Sequence, residues 1–432
     1  VNKADGTNKA DNNKTDKAQT TESDFTFNEG VRYSKWVIDS RMNSFNANTT
    51  QVGFAVYDED GNKTTERKDG KTTLDYVPGL VAKGIIEASQ YYSQYDWAQA
   101  WAKPWFMSIQ NYGDYFYNKY KSQGGSLDDL NAAKLYIPLR ELSATGGKYE
   151  NKSTFDKTTI ALDYAATGLS NHNTTYSIKS GTEAEGEGYD VIGGWWHKSE
   201  YNNQMWLDGQ YMGGVLLAQL ANYKKEKDEN VIDATDWDIA VKQLDIVWNM
   251  CWNETDKLMY HAFDANAGTG SNSHSETWAG LSGKEGIAKY QSSTYWARAC
   301  GWYFLALVDM LEEMDKAGIA HTDKKYTDIK SHLDNLAAGL KRWQDKTTGG
   351  WYQILDENGT FSASIYNNGK SHNETSNYLE SSATAIFAAA YLKALRLGYL
   401  DKGTYEKTAK DAYQCLVNRF FAADRSEEHT SE

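Results

Sequence analysis

The chain has 432 residues, enough for two or three domains or for one large helical or barrel domain. Lys and Arg number 45 against 59 Asp and Glu, a formal net charge of −14 that opposes phosphate backbones and anionic lipid, so nucleic acid and membrane surfaces are excluded as expected partners. No apolar run approaches the ~18 residues a membrane helix needs, and with only 3 prolines to break helices the expected class is all-α.

The order along the chain begins with a polar stretch. Asn2-Lys3-Ala4-Asp5 is echoed by Asn8-Lys9-Ala10-Asp11, and residues 1–25 are expected to be a disordered tail. Such a lead-in is similar to the tether behind a bacterial export signal. The protein is therefore expected in the periplasm or on a lipoprotein anchor, with the cytoplasm as the alternative. Residues 26–422 carry no Pro/Gly/Ser-rich linker and are taken as one catalytic domain, followed by a short tail over 423–432.

Apolar residues then recur at helical spacing, as in Leu216, Leu217, Leu220 and Ala221. The pattern predicts helices over 31–45, 78–94, 104–122, 128–144, 154–167, 203–224, 235–252, 294–316, 324–344, 378–397 and 403–420. Glycine pairs at Gly146-Gly147 and Gly349-Gly350 follow two of them, as helix C-caps do. Between the helices, 168–194 and 265–292 read as polar insertions on one rim. Residues 258–264 align with 350–356 as a faint repeat of short extended segments. Repeated helix pairs with loops on one rim imply a closed toroid or an open solenoid, and closure is favoured because neither end has a polar capping repeat.

The chemistry-bearing residues cluster in three places. In Trp195-Trp196-His197-Lys198 through Trp206-Leu207-Asp208-Gly209, Asp208 enters an apolar helix, where burial would raise its pKa; the alternative is a helix-start acid serving the macrodipole. His197 by itself is more often structural. In Trp296-Ala297-Arg298 through Trp302, an arginine between two indoles can fork onto a carboxylate while the rings hold a sugar, or can pair with a structural acid. Asp128 and Asp129 in Ser126-Leu127-Asp128-Asp129-Leu130-Asn131 read first as an ordinary helix start. The 15 Trp and 30 Tyr suit sugar rings, although a packed core accounts for them equally. Cys251, Cys300 and Cys415 have neither disulfide nor zinc spacing and are expected as free thiols.

Taken together, His197-Lys198, Gln204-Met205-Trp206-Leu207-Asp208-Gly209, Trp296-Ala297-Arg298 to Trp302, and Gly349-Gly350-Trp351-Tyr352-Gln353 with Asn377 to Ala383 resemble glycoside hydrolase family 105, the unsaturated rhamnogalacturonyl hydrolases. Gln210 and Ala299 depart from its pattern. The resemblance covers about residues 30–421 and implies an all-α (α/α)6 barrel, a six-hairpin toroid. It implies Asp208 as general acid/base and Asp128 as second acid, with Asp129 as fallback. It further implies substrate-binding roles for Tyr76, His197, Trp206, His261, Trp296, Arg298 and Trp302.

The implied activity is release of a terminal 4,5-unsaturated uronic acid, galacturonyl as in the unsaturated rhamnogalacturonan disaccharide of pectin, from lyase-generated oligosaccharides. The alternatives are a glucuronyl hydrolase acting on ulvan or arabinogalactan fragments, an inverting (α/α)6 glycosidase, and a non-enzymatic helical sugar-binding protein. No metal and no organic cofactor are expected, because no ligand-spaced cluster and no phosphate loop stand in the sequence. The partner is the unsaturated oligosaccharide, and the protein is expected as a monomer or weak homodimer.

Overall fold

A computed structural model describes residues 54–57, 63–67, 76–91, 125–227, 234–267, 278–279, 284–356 and 377–420. The helices expected over 31–45 and 104–122, and both tails, lie outside the described residues.

After a small antiparallel hairpin, β1 (Phe54–Tyr57) and β2 (Lys63–Arg67), the described chain is built of helices. Helix α1 spans Tyr76–Tyr91. The single helix expected over 128–144 is three joined pieces: α2 (Leu127–Asn131), a 3-10 turn (Ala132–Leu135) and α3 (Tyr136–Ser143). Helix α4 covers Lys152–Thr175, started by Asn151, whose side chain accepts from Thr154 N–H. It runs eight residues past the expected end, so the 168–194 insertion begins only after Thr175.

A short helix α5 (Glu183–Gly186) lies in that loop, which returns as strand β3 (Gln204–Trp206). The helix expected from 203 starts three residues after that strand does. It consists of α6 (Leu207–Gly209), a π turn (Gln210–Gly214) and α7 (Val215–Lys227). Then come α8 (Ala234–Cys251), the short strands β4 (Trp252–Asn253), β5 (Leu258–Met259) and β6 (Ala262–Asp264), and α9 (Ala297–Ala317), ended by left-handed Gly318. Helices α10 (Lys324–Trp343), α11 (Ser381–Arg396) and α12 (Lys402–Cys415) follow.

Burial sorts these helices into two layers. On α9 nearly every position from Ala297 to Met314 is buried, the signature of a helix packed on all sides. Helix α10 buries one stripe, Tyr326, Ile329, Leu333, Leu336, Ala337 and Leu340, and turns Lys and Asp outward. Helix α9 packs on both α7 and α11, the π turn packs on α2, and α1 packs on the 3-10 turn, which gives an inner ring. Among the described residues four inner helices each pair with an outer one through a short connection: α3 with α4, α7 with α8, α9 with α10, α11 with α12. This is the (α/α)6 barrel, with four hairpins and inner helix α1 among the described residues. No described helix is long and apolar enough to cross a membrane, and all three cysteines are free and buried.

Candidate active site

The described inner helices start at one rim, and the chemistry-bearing residues stand at those starts: Tyr76 on α1, Asp128 on α2, Asp208 on α6, Arg298 on α9 and Glu380 before α11. Short β contacts tie this rim together. β3 pairs with β6, and single bridges join Ser126 to Lys198, Trp296 to Ile354, and Tyr352 to Leu379. The 258–264 and 350–356 segments therefore do form extended pieces on the same rim.

The capping of α2 belongs to Ser126, whose hydroxyl accepts from Asp129 N–H. Asp128 is thus released from the helix-start role first assigned to it. Its two oxygens lie 3.1 Å from His197 Nε2 and 3.0 Å from Lys198 Nζ. Burial would raise the Asp128 carboxyl, but the His197 and Lys198 contacts outweigh it and hold it down to about 2. Asp128, and not Asp129, is the acid joined to this pair. Lys198 was not among the residues expected here, although it is next to His197. The bridge between Ser126 and Lys198 fixes the approach of the two segments.

Asp208 is only 9 % exposed, and its Oδ2 has no hydrogen-bond partner among the described residues. Burial pushes its carboxyl up to about 6, with His197 pulling it down and Asp128 adding to the rise. Two carboxyls on neighbouring helices thus stand far apart in acidity, one ionised and one able to hold a proton near neutrality, the separation that assigns acid and base roles. The entry to α6 is set by Leu207 N–H donating to His261 O at 3.0 Å, so His261 acts on Asp208 through its backbone. Desolvation of its half-buried ring pushes the imidazole down to about 4, so it is neutral at pH 7.

The aromatic residues are placed unequally. His197 stacks on Trp206 at 4.5 Å between centroids and Tyr201 stacks on Trp206 at 5.0 Å, so Trp206 lies within a three-ring stack. The Trp206 ring is thereby held in place beside Asp208 by two protein rings. Arg298 lies 4.6 Å over the Trp296 ring, while Trp302 packs on Tyr211 and meets the edge of Tyr76. The expected arginine between two indoles is therefore an arginine on one indole. It also reaches Glu380 Oε1 at 3.3 Å. Glu380 is fully buried, accepts from Ser382 Oγ and Ala383 N–H, and is raised by burial. Among the described residues no three His, Cys, Asp or Glu side chains gather where a metal would need them.

A helical double ring whose inner helix starts carry two carboxyls of unlike acidity, a guanidinium and indoles defines the class: an (α/α)6 protein with acid and base groups gathered at one rim. Comparison with known proteins places it further. The sequence signature of Glycosyl Hydrolase Family 88 matches residues 54–429, and the chain belongs to that family. A family 105 glycoside hydrolase of C. acetobutylicum superposes with a TM-score of 0.60 at 26% identity, covering 90% of this chain and 83% of that one. A possible family 105 member from Klebsiella pneumoniae shares the fold at TM-score 0.59 and 17% identity, covering 94% and 84% of the two chains. Membership of family 105 accords with the motifs. A 24.9 kDa protein in the picA locus of Rhizobium radiobacter is 33% identical over 156 residues, which is 36% of this chain and 52% of that protein. The chain thus spans about half the length of the curated relatives it matches.

Proposed function

We propose that the protein is a hydrolase that removes a terminal 4,5-unsaturated uronic acid from short oligosaccharides. The observation that carries this reading is Asp208: a buried carboxyl with an unpartnered oxygen and a pKa of about 6, set beside an ionised Asp128. The substrate's C4=C5 bond is an enol ether conjugated to a carboxylate. Asp208 gives its proton to C4, a water oxygen bonds to C5, and the released carboxylate takes a proton from that water. The product is a hemiketal at C5. Its C5–O5 bond breaks to leave a ketone, and the resulting hemiacetal at C1 expels the next sugar as an alcohol.

Asp128, fixed by His197 and Lys198, is suited to orient ring hydroxyls. Arg298 on Trp296 supplies the positive charge for the uronate. An inverting glycosidase would need Asp128 as a base toward water, and a carboxylate held near 2 is a weak one. Galacturonyl from rhamnogalacturonan is the proposed sugar, with glucuronyl as the competing substrate. Lyase-generated disaccharides of both kinds test the reading. The ultraviolet absorbance of the conjugated bond should decay with release of the aglycone, and faster for the galacturonyl compound. Release of sugar from a saturated uronide with no such decay would overturn it.

A further inference from the structure

Asp208 is followed after one residue by a π turn, and the turn rests on a lysine that no motif includes. Within Gln210–Gly214, Val215 N–H returns five residues to Gln210 O instead of four to Tyr211 O. The Tyr211 carbonyl accepts from Lys134 Nζ at 2.5 Å instead. The same nitrogen lies 3.3 Å from the centroid of the Tyr211 ring. Tyr211 in turn backs Trp302, 4.9 Å away, so one side chain supports both the turn that aims Asp208 and a wall of the pocket.

Lys134 is an unusual residue to find there. It is 2 % exposed on the 3-10 turn that follows Asp128's helix, and burial drives its amine well below the ordinary lysine range. The charged groups facing it are Asp309, Lys83, Lys393 and Glu313. Asp309, the nearest of these in effect, is held by Lys393 at 2.6 Å. Behind it opens a cavity of about 520 Å³ at the far end of the inner helices. A methionine of similar length would fill the same space at no desolvation cost, so packing does not account for the amine.

We propose that Lys134 is a positioning residue for the reaction, holding the π turn through the Tyr211 carbonyl and ring so that the Asp208 carboxyl stays dry and aimed into the pocket. The inference rests on the reading of Asp208 as proton donor. Groups facing Asp208 are His197, Asp128, Arg298 and Cys300, and none is altered by changing Lys134.

The test is Lys134→Met, compared with wild type in two assays. In the first, kcat on the unsaturated disaccharide should fall about tenfold or more with KM within about threefold, the pattern of a lost transition-state contact. The high-pH limb of kcat, where Asp208 loses its proton, should move to lower pH. In the second, done without substrate, the Asp208 carboxyl is followed by carbon NMR, its signal identified by its absence in Asp208→Asn. It should titrate lower in Lys134→Met than in wild type. An unchanged titration in a folded variant overturns the proposal, and so does a loss confined to KM. If Lys134→Met does not fold, Lys134→Gln, which keeps an N–H to donate, takes its place under the same criteria with a smaller expected shift. Wild-type protein that turns over no unsaturated uronide would instead refute the proposed function, and the carboxyl titration would still judge Lys134.

Discussion

At the level of single residues, the two acids make opposite demands on stability. Asp208 has a folded pKa of about 6, above its ordinary 3.8, so the stability linked to its proton is complete below about pH 4 and lost as pH rises through 6. That loss is about 3 kcal/mol at pH 8. Asp208→Asn should therefore melt higher than wild type at pH 8 and no higher at pH 4. The same variant should lose about 10²-fold or more in kcat, the scale of a missing general acid. Asp128 runs the other way: its stability is present above 3.8 and lost as pH falls through about 2. Asp128→Asn strips His197 and Lys198 of their shared anion and should lower the melting temperature at pH 7; an unchanged melt would contradict the ion-pair geometry. Asp208, Asp128, His197 and Arg298 were legible in the sequence because family motifs surround them. Lys198 and Glu380 carry no such signal of their own, because their partners are distant in sequence: Asp128 lies 70 positions before Lys198, and Arg298 82 before Glu380. The enclosure of Trp206 by two rings was not legible, since stacking is decided by the loop that carries Tyr201.

At the level of elements, the described helices start within two residues of the expected positions except at three places on the rim, where the helix begins three or four residues late. Residues 204–206, 294–296 and 378–380 continue the apolar spacing of the helices behind them, but each is drawn into a strand or bridge by a partner in another rim segment. Local pattern cannot register a partner that is roughly 30 to 60 residues away. The connection between α8 and α10 shows how close these elements come. An added Cβ at Gly339 would lie 1.7 Å from Lys257 O, in the β4–β5 turn where Lys257 itself has φ 57. Gly339→Ala should cost about 2–3 kcal/mol or more, read from the urea midpoint at constant m-value. A loss under about 0.5 kcal/mol would mean that the turn yields easily.

At the level of the whole molecule, repeated helix pairs with loops on one rim pointed to a toroid or solenoid and the family resemblance to six hairpins, whereas the two layers required burial: sequence did not announce that α9 is buried all round and α10 on one stripe. The shared direction of the inner helices has a consequence for what can approach. Each inner start brings the positive end of a helix dipole to the mouth, but the outer helices run back the other way, so the dipoles largely cancel at a distance. What survives far away is the net charge of −14. On the proposed function, a short uronide meets little of this long-range repulsion and a long polyanionic chain meets much more. Intact polyuronate should therefore compete poorly with a short unsaturated substrate in dilute buffer and better as added salt shortens the range of repulsion. Inhibition that weakens with salt would show that the mouth, and not the net charge, governs the encounter. If the repulsion governs, fragment and polymer are told apart by length through the electric field, with no steric gate needed.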